Sequence, residues 1–199
     1  ENQLAGISAS NGMKFLVSRQ CDDCNGLVAF VTYVLPESDA AAKGIERGDF
    51  ITTINGTSLN VNNYIDLLYG DALSYSVGLA DYDPTEESFD LTGETITLDK
   101  VENFQEDPIH KNLVLDVGGQ KVGYLMYNKF LNEFDDQLIQ TFSDFAAEGI
   151  TDLVLDLRYN PGGSVRTCVY LASMITGQFT DEIFAQQIWN SKLLAYFEA

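Results

Sequence analysis

The run Asp152-Leu-Val-Leu-Asp-Leu-Arg-Tyr-Asn-Pro-Gly-Gly-Ser164 carries the strongest chemical signal in the chain. An apolar strand enters a Pro-Gly-Gly turn, and a helix opens directly behind it. Such a turn aims backbone N–H groups and the positive end of a helix at one point, which suits an anion or a developing oxyanion. Gly162 and Gly163 leave that point unobstructed, because neither has a side chain. Ser164 fits the N-cap of the helix better than a nucleophile. Asp156 and Arg158, two apart on the strand, read as a structural ion pair beside the turn.

Other groups capable of chemistry are fewer. Cys21 and Cys24 form a Cys-x-x-Cys pair in a polar turn, and Cys168 falls on an apolar helical face. A redox pair of the thioredoxin type would sit between a strand and a helix, whereas both flanks here read as strands. Zinc would need two further ligands, and the single histidine, His110, is far away in sequence. The pair therefore reads as an incidental loop pair or a local disulfide. Asp81-Tyr-Asp-Pro-Thr-Glu-Glu87 opens like a calcium-binding EF-hand loop, but Glu86 stands where glycine is needed and Thr92 where glutamate is needed. A solvated acidic loop over Asp81 to Asp90 is the expectation. Asn160-Pro-Gly-Gly-Ser-Val lacks the Gly-x-Gly-x-x-Gly spacing of a dinucleotide site. Asn55-Gly-Thr57 is a glycosylation sequon that turn geometry explains fully. No cofactor or metal is expected.

Charge narrows the partners. The formal net charge is -19, with only 11 Lys and Arg, so the clustered cations that phosphate neutralisation requires are missing and nucleic acid is excluded. An anionic membrane surface is disfavoured for the same reason, whereas a cationic or unfolded polypeptide is compatible. No apolar run approaches the ~20 residues needed to span a bilayer. The start, Glu1-Asn-Gln-Leu, shows no signal-peptide pattern, as would also hold for a chain trimmed of a leader.

The elements that must position these groups fall into two halves. Residues 13–20 and 27–35 are rich in β-branched and aromatic residues, flank the Cys-Asp-Asp-Cys-Asn-Gly turn and predict a hairpin. A short helix over Ala40 to Lys43, a strand over Phe50 to Ile54 and a helix over 62–69 follow, the last with Ile65, Leu68 and Tyr69 on one face. Strands near 74–80 and 94–101 then flank the acidic loop. From about residue 103 the pattern changes to strands at 111–117 and 121–128 and a helix at 132–148 striped by Phe134, Leu138, Phe142 and Phe145. A strand at 152–158 and a helix from Val165 to Ile175 complete a parallel crossover. The tail from Thr180 to Ala199 reads as further helix through Ile183, Phe184, Ile188, Leu193 and Phe197. One strand after a first crossover leaves a sheet edge open, so the sequence reads as a fragment of a longer protein.

Two segments carry a family resemblance. Val34 to Thr57 contains a Pro-x-Ser-x-Ala segment, a Gly-x-x-x-Gly-Asp loop and Ile-Asn-Gly, and resembles a PDZ domain of the bacterial type. Val122-Gly-Tyr-Leu-Met-Tyr-Asn-Lys-Phe130, the helix Phe134 to Gly149, and Leu155-Asp-Leu-Arg-Tyr-Asn-Pro-Gly-Gly163 resemble the start of the core of the C-terminal processing (tail-specific) serine peptidases. The resemblance implies a two-domain fold. Residues 1–102 would form a mainly-β PDZ-like domain, a β-barrel-like sheet with two helices. Residues 103–199 would form the N-terminal part of an α/β catalytic domain, a β-hairpin then strand–helix–strand–helix.

The resemblance also implies roles. A PDZ loop binds a peptide's C-terminal carboxylate through backbone N–H groups while the peptide adds a strand. Gly12, Met13, Lys14 and Phe15 stand where that loop should lie, and Phe15, Val17, Ile65 and Leu68 either line its side-chain pocket or simply fill the core. The partner implied is a polypeptide with a free C-terminus. The Gly162–Gly163 region would supply one N–H of an oxyanion hole to a serine nucleophile activated by a lysine. The Thr/Ser-Ala-Ser-x-Glu-like segment that bears the family's serine is not found before Ala199, so the nucleophile and base are expected outside this chain and these residues alone to be inactive. An envelope location in bacteria is implied in the same way. A non-catalytic peptide-binding protein on the same scaffold and a phosphate or nucleotide binder at the Gly-Gly turn remain the alternatives.

Overall fold

The structure is a computed structural model that describes residues 7–179, 181–186 and 188–197. The chain divides between Glu106 and Asp107 into two compact units.

In the first unit, the hairpin of β2 (Met13–Arg19) and β3 (Leu27–Val34) begins a six-stranded sheet. Its order is β2-β3-β4-β6-β7, with β4 at Phe50–Ile54, β6 at Ser74–Asp83, β7 at Ser88–Asp99, and the short β5 (Thr57–Ser58) pairing β4. A separate two-stranded sheet pairs β1 (Ile7–Ser10) with β8 (Val101–Gln105), the strand in which residues 102–103 lie. Among the described residues the pairing path is open, with β2 and β7 at its ends. Alternation decides which face is buried. Ala29, Val31, Ile51, Ile54 and Val77 have no exposed surface, and the core they form includes Leu68 of α2 (Tyr64–Tyr69) and Ala40 of α1 (Asp39–Ala42). Ser38 caps α1 by accepting from the Ala41 N–H at 3.2 Å.

Two expectations for this unit need correction. The segment from Asp81 to Asp90 is not a loop, because β6 and β7 continue through it and only residues 84–87 turn. Its acidic residues alternate with aromatic ones. Tyr82 and Phe89 face each other at 5.0 Å between ring centroids and pack on Phe50, enough apolar contact to extend the ladder despite the charge. In α2, only Leu68 of the expected stripe is buried. Ile65 and Tyr69 are each 59% exposed, because the helix turns Tyr64, Leu67 and Leu68 inward instead.

In the second unit, β9 (Ile109–Val117) and β10 (Gln120–Tyr127) form an antiparallel hairpin. A 3-10 turn at Asn132–Phe134 leads into α3 (Asp135–Glu148), which returns the chain to β11 (Asp152–Asp156). β11 runs parallel to β10, in register from Val122 opposite Asp152 to Met126 opposite Asp156. The second hairpin strand is thus itself the first strand of the crossover, and the sheet has three strands in the order β11-β10-β9. Leu125, Tyr127 and Leu138 are fully buried and form the core with Phe145 and with Leu171 of α4 (Val165–Ile175).

The expected strand at 152–158 stops at Asp156, because the Asp156 carboxylate accepts the Arg158 N–H at 3.1 Å and turns the chain. Nor is the tail continuously helical. Residues 181–186 and 188–190 are turn and coil, and α5 covers only Ser191–Phe197. Ile183 and Ile188 are 85% and 87% exposed, so they lend a helix little packing, and short helices are marginal without it. Thr180, Glu198, Ala199 and the Phe197 side chain lie outside the described residues, as does the Glu1–Leu4 start.

Candidate functional site

The turn that follows β11 is held by one asparagine that the sequence reading passed over. Asn160 Nδ2 donates to the Tyr127 carbonyl at 2.9 Å, while its Oδ1 accepts the Gly162 N–H at 2.7 Å. The side chain therefore ties the loop to the end of β10 and fixes the peptide ahead of the glycines. An asparagine opening a Pro-Gly-Gly turn is the signal that could have found it. A parallel bridge then joins Gly163 to Phe130. Phe130 N–H donates to the Gly162 carbonyl at 3.0 Å, and Ser164 N–H donates to the Phe130 carbonyl at 2.8 Å.

These bonds sort the three amides of the turn. Those of Gly162 and Ser164 are consumed internally, whereas Gly163 N–H donates to no acceptor among the described residues. Bridge alternation turns it away from Phe130. Gly163 has φ +141, and a Cβ there would collide with the Phe130 carbonyl oxygen, so only glycine fits. Directly behind, Ser164 caps α4 by accepting the Thr167 N–H at 3.3 Å. The free amide thus stands at the positive end of an eleven-residue helix, at the carboxyl edge of a parallel strand pair.

Buried polar groups position this turn. Asp135, in the first turn of α3, accepts from Thr167 Oγ1 at 2.6 Å and from Arg166 Nη2 at 3.1 Å, and Thr167 is fully buried. The start of α4 is therefore clamped to the start of α3, a link between distant residues that no local pattern announces. Asp156 accepts from Tyr124 Oη at 2.7 Å and from the Arg158 guanidinium through both oxygens. The Arg158 hydrogen bonds, against the opposing effect of burial, hold its carboxyl well below the usual carboxylate range. Because the native pKa is lowered, this contribution to stability is complete above about pH 4 and is lost as pH falls through the native value. Asp156→Asn is expected to cost about 1–3 kcal/mol at neutral pH. Urea unfolding at about pH 6 and about pH 3 should show a smaller acid-dependent loss for the variant than for the wild type. Arg158 stays 57% exposed at its side chain, which trims the value of the pair.

In the first unit, the residues expected to receive a peptide are only partly assembled. Met13, Lys14, Phe15 and Leu68 line a cavity of about 260 Å³ beside edge strand β2, together with Asn11, Tyr69, Tyr75 and Lys100. Phe15 packs on Tyr69 at 5.6 Å between ring centroids. Val17 packs on the core and Ile65 is open to solvent, and neither lines the cavity. Gly12, at φ +87, packs against the Ser38 side chain. Its N–H donates to Ser10 Oγ at 3.0 Å, and the Met13 N–H donates to Asn11 Oδ1 at 3.1 Å, so both loop amides already have partners. Lys14 pairs with Glu106 at 2.6 Å, and Lys100 Nζ donates to the Gly70 carbonyl at 2.9 Å. Among the described residues no cluster of three or more metal-ligating side chains occurs, and no helix is long and apolar enough to cross a membrane.

A free backbone donor at a turn between a parallel strand and a helix suits an anion or a developing oxyanion. Residues 121–191, which contain it, match the model of peptidase family S41. The carboxyl-terminal-processing protease of Picosynechococcus sp. is 29% identical over 184 residues, covering 89% of this chain and 40% of that protein. A CtpA-like serine protease of Staphylococcus aureus is 30% identical over 145 residues, covering 72% of this chain and 27% of that protein. A solved S41 protease from Bacteroides fragilis superposes with a TM-score of 0.62 at 27% identity, over 81% of this chain and 45% of its own. The photosystem II D1 C-terminal processing protease shares the fold, with a TM-score of 0.55 at 21% identity over 88% and 46% of the two chains. The chain is similar to C-terminal processing serine peptidases, and its second unit matches family S41. It spans less than half the length of these relatives.

Proposed function

We propose that this chain is the substrate-recruiting and oxyanion-binding part of a serine endopeptidase that processes polypeptide C-termini. The observation that carries the reading is the Gly163 N–H at the start of α4, which has no acceptor among the described residues and suits a developing oxyanion. On this reading a serine nucleophile and a lysine base, supplied by residues beyond these 199, complete the site opposite Gly163. The lysine would need burial to lower its pKa into the working range of a base. The first unit would act as a PDZ-like module, taking the last residues of a substrate along β2 with an apolar side chain in the cavity between Phe15 and Leu68. Carboxylate capture there requires Ser10 Oγ to release the Gly12 amide, an exchange of one hydrogen bond for a charge-assisted one. An envelope location in a bacterium follows the same resemblance.

Titrating this chain with a short apolar-ended peptide tests the recruiting role. A free C-terminus is expected to bind at least about tenfold more tightly than the amidated form, a difference of about 1.4 kcal/mol. Equal affinities would remove carboxylate capture from the proposal while leaving the oxyanion reading to its own test.

A further inference from the structure

The turn between β2 and β3 carries a thiol pair that the peptidase reading leaves unused. Cys21 and Cys24 stand at its two ends, and the Cys24 N–H donates to the Cys21 carbonyl at 3.4 Å. A turn of four residues keeps its end Cα atoms within about 7 Å, and a disulfide spans Cα separations of about 4.4–6.8 Å. Cys24 Sγ lies 3.2 Å from the Cys21 carbonyl oxygen and 3.8 Å from that of Gly26. The Cys21 thiol meets it, and both are free thiols, Cys21 exposed and Cys24 half-buried. The surrounding loop is pinned. Gln20 donates its N–H to the Gly26 carbonyl and its Nε2 to the Leu27 carbonyl, each at 3.0 Å, and the Arg19 guanidinium donates to the Cys24 carbonyl. The backbone therefore holds the two cysteines within bridging range before any bond forms.

We propose that Cys21 and Cys24 form a reversible dithiol–disulfide site whose oxidant is a low-molecular-weight disulfide. Cys24 is the attacking sulfur. The Cys21 thiol and the nearby backbone lower its pKa, whereas contact with Cys24 raises that of Cys21. The Cys24 thiolate attacks one sulfur of the oxidant, a mixed disulfide forms, and the other half leaves as a thiolate that takes up a proton. Cys21, deprotonated in turn, attacks the Cys24 sulfur and expels the second half. Two protein thiols are oxidised and one disulfide is reduced to two thiols. Cys168, half-buried on α4, serves as an internal control.

The test treats the native 199-residue chain with oxidised glutathione and follows thiol titration and intact mass. Of its three thiols, two should disappear, with the mass of two hydrogens lost, no glutathione retained, and full recovery on reduction. Cys21→Ser should stop at a mixed disulfide on Cys24, and Cys24→Ser should react about tenfold more slowly. Circular dichroism confirms that both variants fold, as replacements in an exposed turn should. A persistent glutathione adduct on the wild-type chain, disulfide-linked chain dimers, or equal rates for the two variants would overturn the proposal.

Discussion

If the proposed oxyanion role holds, Gly163→Ala is expected to abolish most of the hydrolytic activity. Removing one oxyanion donor costs about 10²–10³ in kcat, with KM little changed, because the interaction exists only in the transition state. The structural reason is specific. At φ +141, with the Phe130 carbonyl oxygen where a Cβ would stand, alanine must either strain the backbone or break the bridge to Phe130. Strain of that kind costs on the order of 1–3 kcal/mol, and relieving it rotates the free amide away from its direction. Gly162→Ala is the control. Its φ of +108 also disfavours a side chain, but nothing lies within 4 Å of the added Cβ and its amide is already used by Asn160. Steady-state kinetics on both variants should therefore show a far larger fall in kcat at position 163 than at 162. Similar falls at both would remove the Gly163 donor from the mechanism.

Asp135→Ala should produce the largest stability loss. Its carboxylate satisfies a hydroxyl on Thr167, which has no exposed surface, and holds Arg166 at the first turn of α4. Without it Thr167 is left with its hydroxyl stranded in the interior and the clamp between the two helix starts is gone. The expected cost is about 2–4 kcal/mol, the lower part of the range for broken buried pairs because the Arg166 side chain remains 59% exposed. Thr167→Val in the same background should then cost little more, since each change removes the same bond. Denaturant unfolding of the two single variants and the double variant measures that coupling. Full additivity would mean that the clamp contributes nothing.

The glycine turn was legible in sequence because its parts are local. The apolar run of β11, the Pro-Gly-Gly signal, Ser164 as N-cap and the α4 stripe lie within about two dozen consecutive residues and obey propensities that tertiary contacts do not override. Asp135 was not legible, because an aspartate in a first helical turn is explained by the helix dipole alone. Its second role depends on where α4 starts, some thirty residues later. The acidic stretch after β6 misled for the opposite reason. Charge count favoured a loop there, but strand alternation places Tyr82 and Phe89 on the face shared with Phe50, and cross-strand aromatic contact outweighs the charges at the edge. In α2, Tyr64 and Leu67 compete with Ile65 and Tyr69 for the inward face at the same helical spacing, and periodicity alone cannot choose between them.

Between Asn160 and Ser164 the backbone leans on Phe130 through the carbonyl of Gly162 and the N–H of Ser164. Which way each peptide group looks is then a question of odd and even positions, and Gly163 is the odd one. Inserting or deleting a single residue would shift that parity and turn the Gly163 amide toward Phe130. Negative charge would then lose its donor. The length of this segment is therefore held as firmly as Gly163 itself, with Asn160 and Ser164 fixing its two ends.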